Sequence, residues 1–340
     1  GLVGSEMCIR DSLFIGEPNT GKSNILEVLG LLSWCGNYVR GNPALGEYIR
    51  FQTMRNLFYD GSLDNPIEVE IENARIKVSI TFEEDVFQLR FEGDLELSKG
   101  GNLISNGRLN YSGVPTGGSI HTPISELAFV KFYRFDEKQD QFPHSNPSFL
   151  MPPHGSNMFA VVLANSKLQA SMAEFFKGAT DFGLELVLQM QERTFGFQKR
   201  IKDEYIDRVI NYPYVSISDT LQRMIFYVIA IESNENSTLV FEEPETHTFP
   251  DYTHYLGEKI AFDESNQYFV ATHNPYLLLS ILEKTQKNDV NVFVTYYRDY
   301  QTKVKRLNDE EKSELMIYDP FSNLDHFIES VHSLVEGKNQ

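Results

Sequence analysis

Between an apolar stub, Leu13-Phe14-Ile15, and a run of apolar residues at helical spacing stands Gly16-Glu17-Pro18-Asn19-Thr20-Gly21-Lys22-Ser23. This is G-x-x-x-x-G-K-[ST] in full, set after a strand and opening a helix, as its mechanism demands. Successive backbone N–H groups from Asn19 to Ser23 would converge on a β-phosphate there, and Gly16 and Gly21 remove side chains that would block the approach. Lys22 adds a point charge at the β- and γ-phosphates. Ser23 offers a hydroxyl to the Mg²⁺ that bridges the same oxygens. The nucleotide-binding candidates are therefore Gly16, Glu17, Pro18, Asn19, Thr20, Gly21, Lys22, Ser23 and Asn24.

The rest of the pattern supplies a frame for such a turn. Ile25, Leu26, Val28, Leu29 and Leu32 predict a helix after it, with Gly36 and Asn37 as its stop. From Ile67 to Phe91 the period changes to two, which predicts three antiparallel strands with polar turns. Residues 98–122, rich in Gly, Ser and Asn, read as a long loop, and residues 156–209 read mainly as helices. A second α/β stretch follows: helix Asp219–Ile231, strand Thr238–Phe241, helix Tyr252–Phe262, strand Tyr268–Ala271, helix Tyr276–Glu283 and strand Asn291–Tyr297. Strands alternating with helices imply a parallel sheet covered on both faces.

Hydrolysis of a nucleotide also needs a metal carboxylate and a group that orients water. The apolar run Thr238–Phe241 ends in Glu242-Glu243-Pro244-Glu245, which puts carboxylates at the carboxyl edge of the sheet, where α/β ligands bind. Glu242 is the candidate to hold Mg²⁺ through water, and Glu243 to position or deprotonate the attacking water. His273, in Thr272-His273-Asn274-Pro275 one strand-helix-strand step later, is the candidate to hydrogen-bond the γ-phosphate. His247 and His254 show no zinc spacing.

Composition narrows the classes further. With 340 residues the chain exceeds what one core usually serves, and its net charge of −18 disfavours broad coating of nucleic acid or an anionic membrane. No apolar run approaches the roughly 18 residues of a membrane span. Two cysteines, Cys8 and Cys35, make no disulfide framework and suit a reducing, cytoplasmic setting. Arg298, Lys303, Lys305 and Arg306 form the densest basic cluster. The string Leu2–Asp11 looks like the translation of an adaptor used in transposase-based sequencing libraries, so residues 1–12 are set aside as an artefact, with the native N-terminus missing.

Taken together, Gly16–Ser23, Ser216–Arg223, Leu239–Glu245 and Thr272–Pro275 resemble the soluble ATP-binding-cassette (ABC) ATPases. The likeness is to AAA-labelled cassette proteins related to the overcoming-lysogeny-defect (OLD) family, to RecF and to the chromosome-maintenance (SMC) ATPases. The resemblance runs over nearly the whole chain from Leu13, including Pro152-Pro153-His154-Gly155-Ser156-Asn157 at the entry to the helical region. It implies one P-loop NTPase domain of ABC type over 13–340: a mainly parallel sheet flanked by helices, an antiparallel β subdomain and an inserted helical subdomain, lacking its first strands. Its parts would be the P-loop and first helix at 13–65, antiparallel β at 66–97, a loop-rich insertion at 98–149, a helical subdomain at 150–215 and a catalytic α/β lobe at 216–340.

The resemblance also implies ATP and Mg²⁺ as cofactors, a homodimer in the ATP state, Ser218 as the signature serine acting on the partner's γ-phosphate, and Gln52 as a glutamine-loop metal contact. Two departures are visible: no glycine pair follows Ser218, and Glu242 stands where Asp is usual. The expected function is Mg-dependent ATP hydrolysis driving dimer closure, in DNA repair or defence against foreign genetic elements, with any effector or nuclease in a separate chain and nucleic acid as a possible ligand. The alternative is an ATP-sensing scaffold with little hydrolysis. A small-molecule kinase is disfavoured by the span from position 22 to position 243, which leaves room for a subdomain that compact kinases lack.

Overall fold

The computed structural model describes residues 10–41, 44–71, 76–94, 102–118, 127–179, 183–202, 205, 207–317, 321 and 324–328. In chain order these form β1 (Asp11–Gly16), α1 (Lys22–Gly41), β2 (Ile67–Ile71), β3 (Ile76–Glu83), β4 (Val86–Asp94), β5 (Asn102–Leu109), β6 (Pro115–Gly118) and β7 (Val130–Tyr133). There follow α2 (Met158–Ala164), α3 (Ser166–Ala179), β8 (Leu184–Gln189), β9 (Thr194–Lys202), β10 (Asp207–Pro213), α4 (Asp219–Glu232), β11 (Thr238–Glu242), α5 (Pro250–Phe262), β12 (Gln267–Ala271), α6 (Pro275–Lys284), β13 (Val290–Arg298), β14 (Gln301–Arg306) and α7 (Asp309–Leu315). The chain divides into two compact units, one of residues 23–132 and one of residues 9–22 with 133–340.

In the second unit, β13, β1, β12 and β11 run parallel in that spatial order, and β14 adds antiparallel to β13. Alternation sorts the strand residues. Leu13, Ile15, Leu239, Phe241, Tyr268, Val270, Val292 and Val294 point into one apolar core that also takes the buried residues of α4, α5 and α6. Phe14, Phe269 and Phe293 face the other way and stack, with ring centroids 6.3 Å and 5.1 Å from Phe14. Pro250 and Pro275 stand at the first helical positions of α5 and α6, where the missing N–H costs nothing. The helices and strands expected over 219–297 are all present, within one to two residues of their predicted ends.

β1 starts before the apolar stub. The backbone N–H groups of Arg10 and Asp11 both donate to Asp289 O at 2.9 Å, so Arg10–Ser12, set aside from fold reasoning above, take part in the sheet. Residues 1–9, with the rest of the adaptor-like string and Cys8, lie outside the described residues. Cys35 is buried and free.

Three expectations need correction. Helix α1 does not stop at Gly36-Asn37 but runs to Gly41. A Cβ on Gly36 would lie 2.5 Å from Leu127 C and O, so this glycine serves close approach of two backbones, and Asn37 Nδ2 donates back to Ser33 O at 2.8 Å inside the helix. The segment expected as a loop at 98–122 contains β5 and β6, which extend β2–β4 into a five-stranded antiparallel sheet in the first unit. Part of that segment, residues 98–101 and 119–122, lies outside the described residues.

The helical reading of 156–209 holds only through α3. Beyond it, β8, β9 and β10 form a three-stranded antiparallel sheet. Leu184 and Leu188 are four apart, a spacing that fits both a helix and a strand. Leu186 between them and the buried pair Phe195 and Phe197 decide for period two.

Candidate functional site

The turn after β1 is shaped by residues in the left-handed region: Gly16 at φ 152°, Asn19 at φ 63° and Gly21 at φ 95°. A side chain on Gly16 would overlap Thr295 Oγ1 of β13, and one on Gly21 would overlap Thr302 Oγ1 of β14. The turn therefore lies against the β13–β14 hairpin with no room for Cβ atoms. Thr20 pins it from within, donating its hydroxyl to Glu17 O at 2.8 Å and sharing a 2.7 Å hydrogen bond with Thr295 Oγ1. Lys22 folds over the turn and donates Nζ to Gly16 O and Glu17 O, both at 2.8 Å. Burial pushes its ammonium down to about 8, against the pull of Glu243 and Glu17.

The backbone N–H groups of Asn19, Thr20 and Gly21 donate to no group among the described residues. Three adjacent unsatisfied donors beside a buried ammonium make a concave positive site that fits a polyphosphate.

At the ends of β11 and β12 stand the acidic run and the histidine. Glu242 Oε2 accepts from Arg134 Nη2 at 3.2 Å. Glu243 is held at φ 44° with its N–H on Ala271 O, and its Oε1 lies 3.1 Å from His273 Nε2. Both side chains of this pair are about 40% exposed, at 41% and 37%. Glu245 is buried: its Oε1 accepts from Thr272 Oγ1 at 2.5 Å and from the His273 N–H at 3.2 Å, while Oε2 has no partner among the described residues. Burial drives its carboxyl up to about 7, partly offset by those hydrogen bonds.

The structure thus brings Lys22, Glu243 and His273 to one edge of the sheet, with Glu242 beside them in an ion pair. Such an edge can bind a phosphate chain, hold a divalent cation on a carboxylate and orient water with Glu243. Ser23, Asn24 and Gln52 belong to the other unit; Asn24 and Gln52 are exposed there and Ser23 is half-buried. Ser218 is exposed and caps α4, its Oγ accepting from Leu221 N at 3.4 Å.

Sequence reasoning assigned no role to Arg134, Glu245, Thr295 or Thr302. Glu245 lay within the acidic run already singled out. Arg134 is 108 residues from its partner and carried no local signal. His247 does meet carboxylates, Asp219 Oδ2 at 3.5 Å and Glu137 Oε1 at 3.9 Å, in an exposed cluster on the surface. The basic cluster divides: Arg298, Lys303 and Lys305 share one hairpin face and Arg306 the other, and Lys305 is bound to Glu311 Oε1 and Phe327 O. A cleft of about 400 Å³ lies at the opposite edge of the sheet, where Lys259 Nζ pairs with Glu232 Oε1 at 2.5 Å.

No protein-family model and no curated protein matches the chain. Among solved structures it is similar to an Smc head bound to the C-winged helix domain of ScpA, with TM-score 0.47 and 13% identity over 89% of this chain and 91% of that one. A structure from work on the ATP-driven dimerization and DNA stimulated activation of SMC ATPases gives TM-score 0.33 and 12% identity over 47% and 95%. An Smc head domain with coiled coil and joint derived from Pyrococcus yayanosii gives 0.30 and 12% over 44% and 28%.

Proposed function

We propose that the chain is an ABC-type ATPase that binds ATP with Mg²⁺ at the turn after β1 and hydrolyses it. The observation that carries this reading is the phosphate cradle itself: three unpartnered N–H groups at Asn19–Gly21 under Lys22, within the field of Glu243. Mg²⁺ would supply positive charge to the phosphate oxygens; Ser23 is the candidate hydroxyl ligand for it and Glu242 the candidate to hold it through water. Lys22 exchanges its contacts with Gly16 O and Glu17 O for phosphate oxygens. Glu243 takes up the proton of the attacking water, and His273, whose Nε2 lies 3.1 Å from Glu243 Oε1, stands beside that carboxylate at the γ-phosphate end.

Two variants test this. Glu243→Gln keeps ATP affinity and releases phosphate roughly a hundredfold more slowly, in the range expected when a general base is lost. Lys22→Ala weakens ATP binding instead. Equal phosphate release by Glu243→Gln and the parent chain would sink the assignment.

The dimer belongs to the same proposal. In it, Ser218 of one copy reaches the γ-phosphate of the other, and ATP with Glu243→Gln shifts the protein to twice its mass in light scattering. A role in DNA repair or defence is read from the resemblance, and DNA binding compared in ATP and ADP at two salt concentrations tests it. One observation favours the scaffold alternative: the carboxylate meant for Mg²⁺ is engaged by Arg134. ATP binding with no phosphate release above background would select that reading.

A further inference from the structure

We infer that Tyr297 is the platform on which the base of the nucleotide stacks; the inference rests on the ATP site proposed above. The order of the strands gives the direction. Glu243 and His273 end β11 and β12, on one side of β1, so the γ-phosphate of a nucleotide seated on the turn after β1 points toward that side. A triphosphate chain is extended, and its nucleoside end must leave on the other side, over β13 and β14.

On that side β13 ends in Thr295-Tyr296-Tyr297-Arg298. Alternation puts Thr295 and Tyr297 on one face, and the register sets Thr302 opposite Tyr297 and Val304 opposite Thr295. Thr295 and Thr302 are the two residues against Gly16 and Gly21. Tyr297 is thus the next residue outward on the face that touches the phosphate turn, with its Cβ about 5 Å from that of Thr302. Thr295 is buried, whereas Tyr297 is 60% exposed and Val304 44%.

The backbone beneath Tyr297 is a tight hairpin. The strands are joined by two residues, Asp299 and Tyr300, at φ 52° and 60°, the paired left-handed conformation of a tight hairpin turn. A flat aromatic held beside a phosphate cradle recognises a base by its π-face, and stacking of this kind tolerates any base while favouring the larger purines.

The test compares Mg²⁺-ATP with inorganic tripolyphosphate, which has the phosphates and no base, by calorimetry on the full chain. Tyr297→Ala should lose about tenfold in ATP affinity and none for tripolyphosphate, and Tyr297→Phe should keep both. Unchanged ATP affinity in Tyr297→Ala overturns the inference, as does an equal loss for the two ligands, which would mean that the substitution disturbs the phosphate turn. Lys22→Ala separates this from the parent reading: if it leaves ATP affinity intact, the nucleotide site itself fails, whatever Tyr297 does.

Discussion

Two carboxylates sit where burial works against their charge. Asp11 is fully buried in β1, and desolvation lifts its carboxyl to about 6 in spite of the 2.8 Å contact from Arg10 Nη2. Glu245 rises to about 7 for the same first cause. In both, the folded value lies above the unfolded one, near 3.8 and 4.5, so the fold favours the protonated form. The stability each contributes is present below the unfolded value and lost as pH rises through the folded one, between about pH 4 and 7. These two groups should therefore make the melting temperature fall as pH rises from about 4 to about 7. Asp11→Asn, neutral at every pH, should flatten that slope and stabilise the protein at pH 7.5 by about 3 kcal/mol, the worth of a shift of some two units. A melting curve for Asp11→Asn that keeps the parent's slope between pH 4 and 6 would contradict this account.

At the level of elements, α1 sets two rules against each other. Helix propensity alone makes Gly36→Ala favourable by about 1 kcal/mol. The added Cβ, however, would lie 2.5 Å from the backbone carbonyl of Leu127, a neighbour that cannot rotate away. Overlap should win, with a net loss of roughly 2 kcal/mol in urea denaturation; a stabilised variant would show that the segment at Leu127 yields. The same helix shows why sequence reading misplaced its end: a glycine that admits a neighbouring backbone looks, one-dimensionally, like a stop. Elements whose apolar spacing is unambiguous, from α4 to β13, were legible because each buries a regular stripe or alternation. β5 was not, since Asn106, Gly107 and Arg108 carry no alternation and the strand is defined by its ladder to β4. Within the site, the sharp turn after β1 was legible because the glycines that shape it are close together in sequence. The ion pair of Glu242 with Arg134 and the packing of Thr302 on Gly21 join distant segments and left no trace in either.

Over the whole molecule, 48 acidic against 30 basic side chains impose self-repulsion that salt should relieve, so the melting temperature should rise between 50 and 500 mM NaCl at pH 7.5. A fall would indicate that specific ion pairs outweigh the net field. This field would not by itself keep an anion from the turn after β1, because local donors and Lys22 act at contact distance while the net charge is screened within about 10 Å at 0.1 M salt. The bond from Glu245 to the Thr272–His273 segment has a mechanical corollary. One sequestered carboxyl grips the turn after β12 from the turn after β11, and a hydrogen bond of that kind is worth about 0.5–1.5 kcal/mol. The two turns are therefore tied: whatever pulls on Glu243 drags His273 with it.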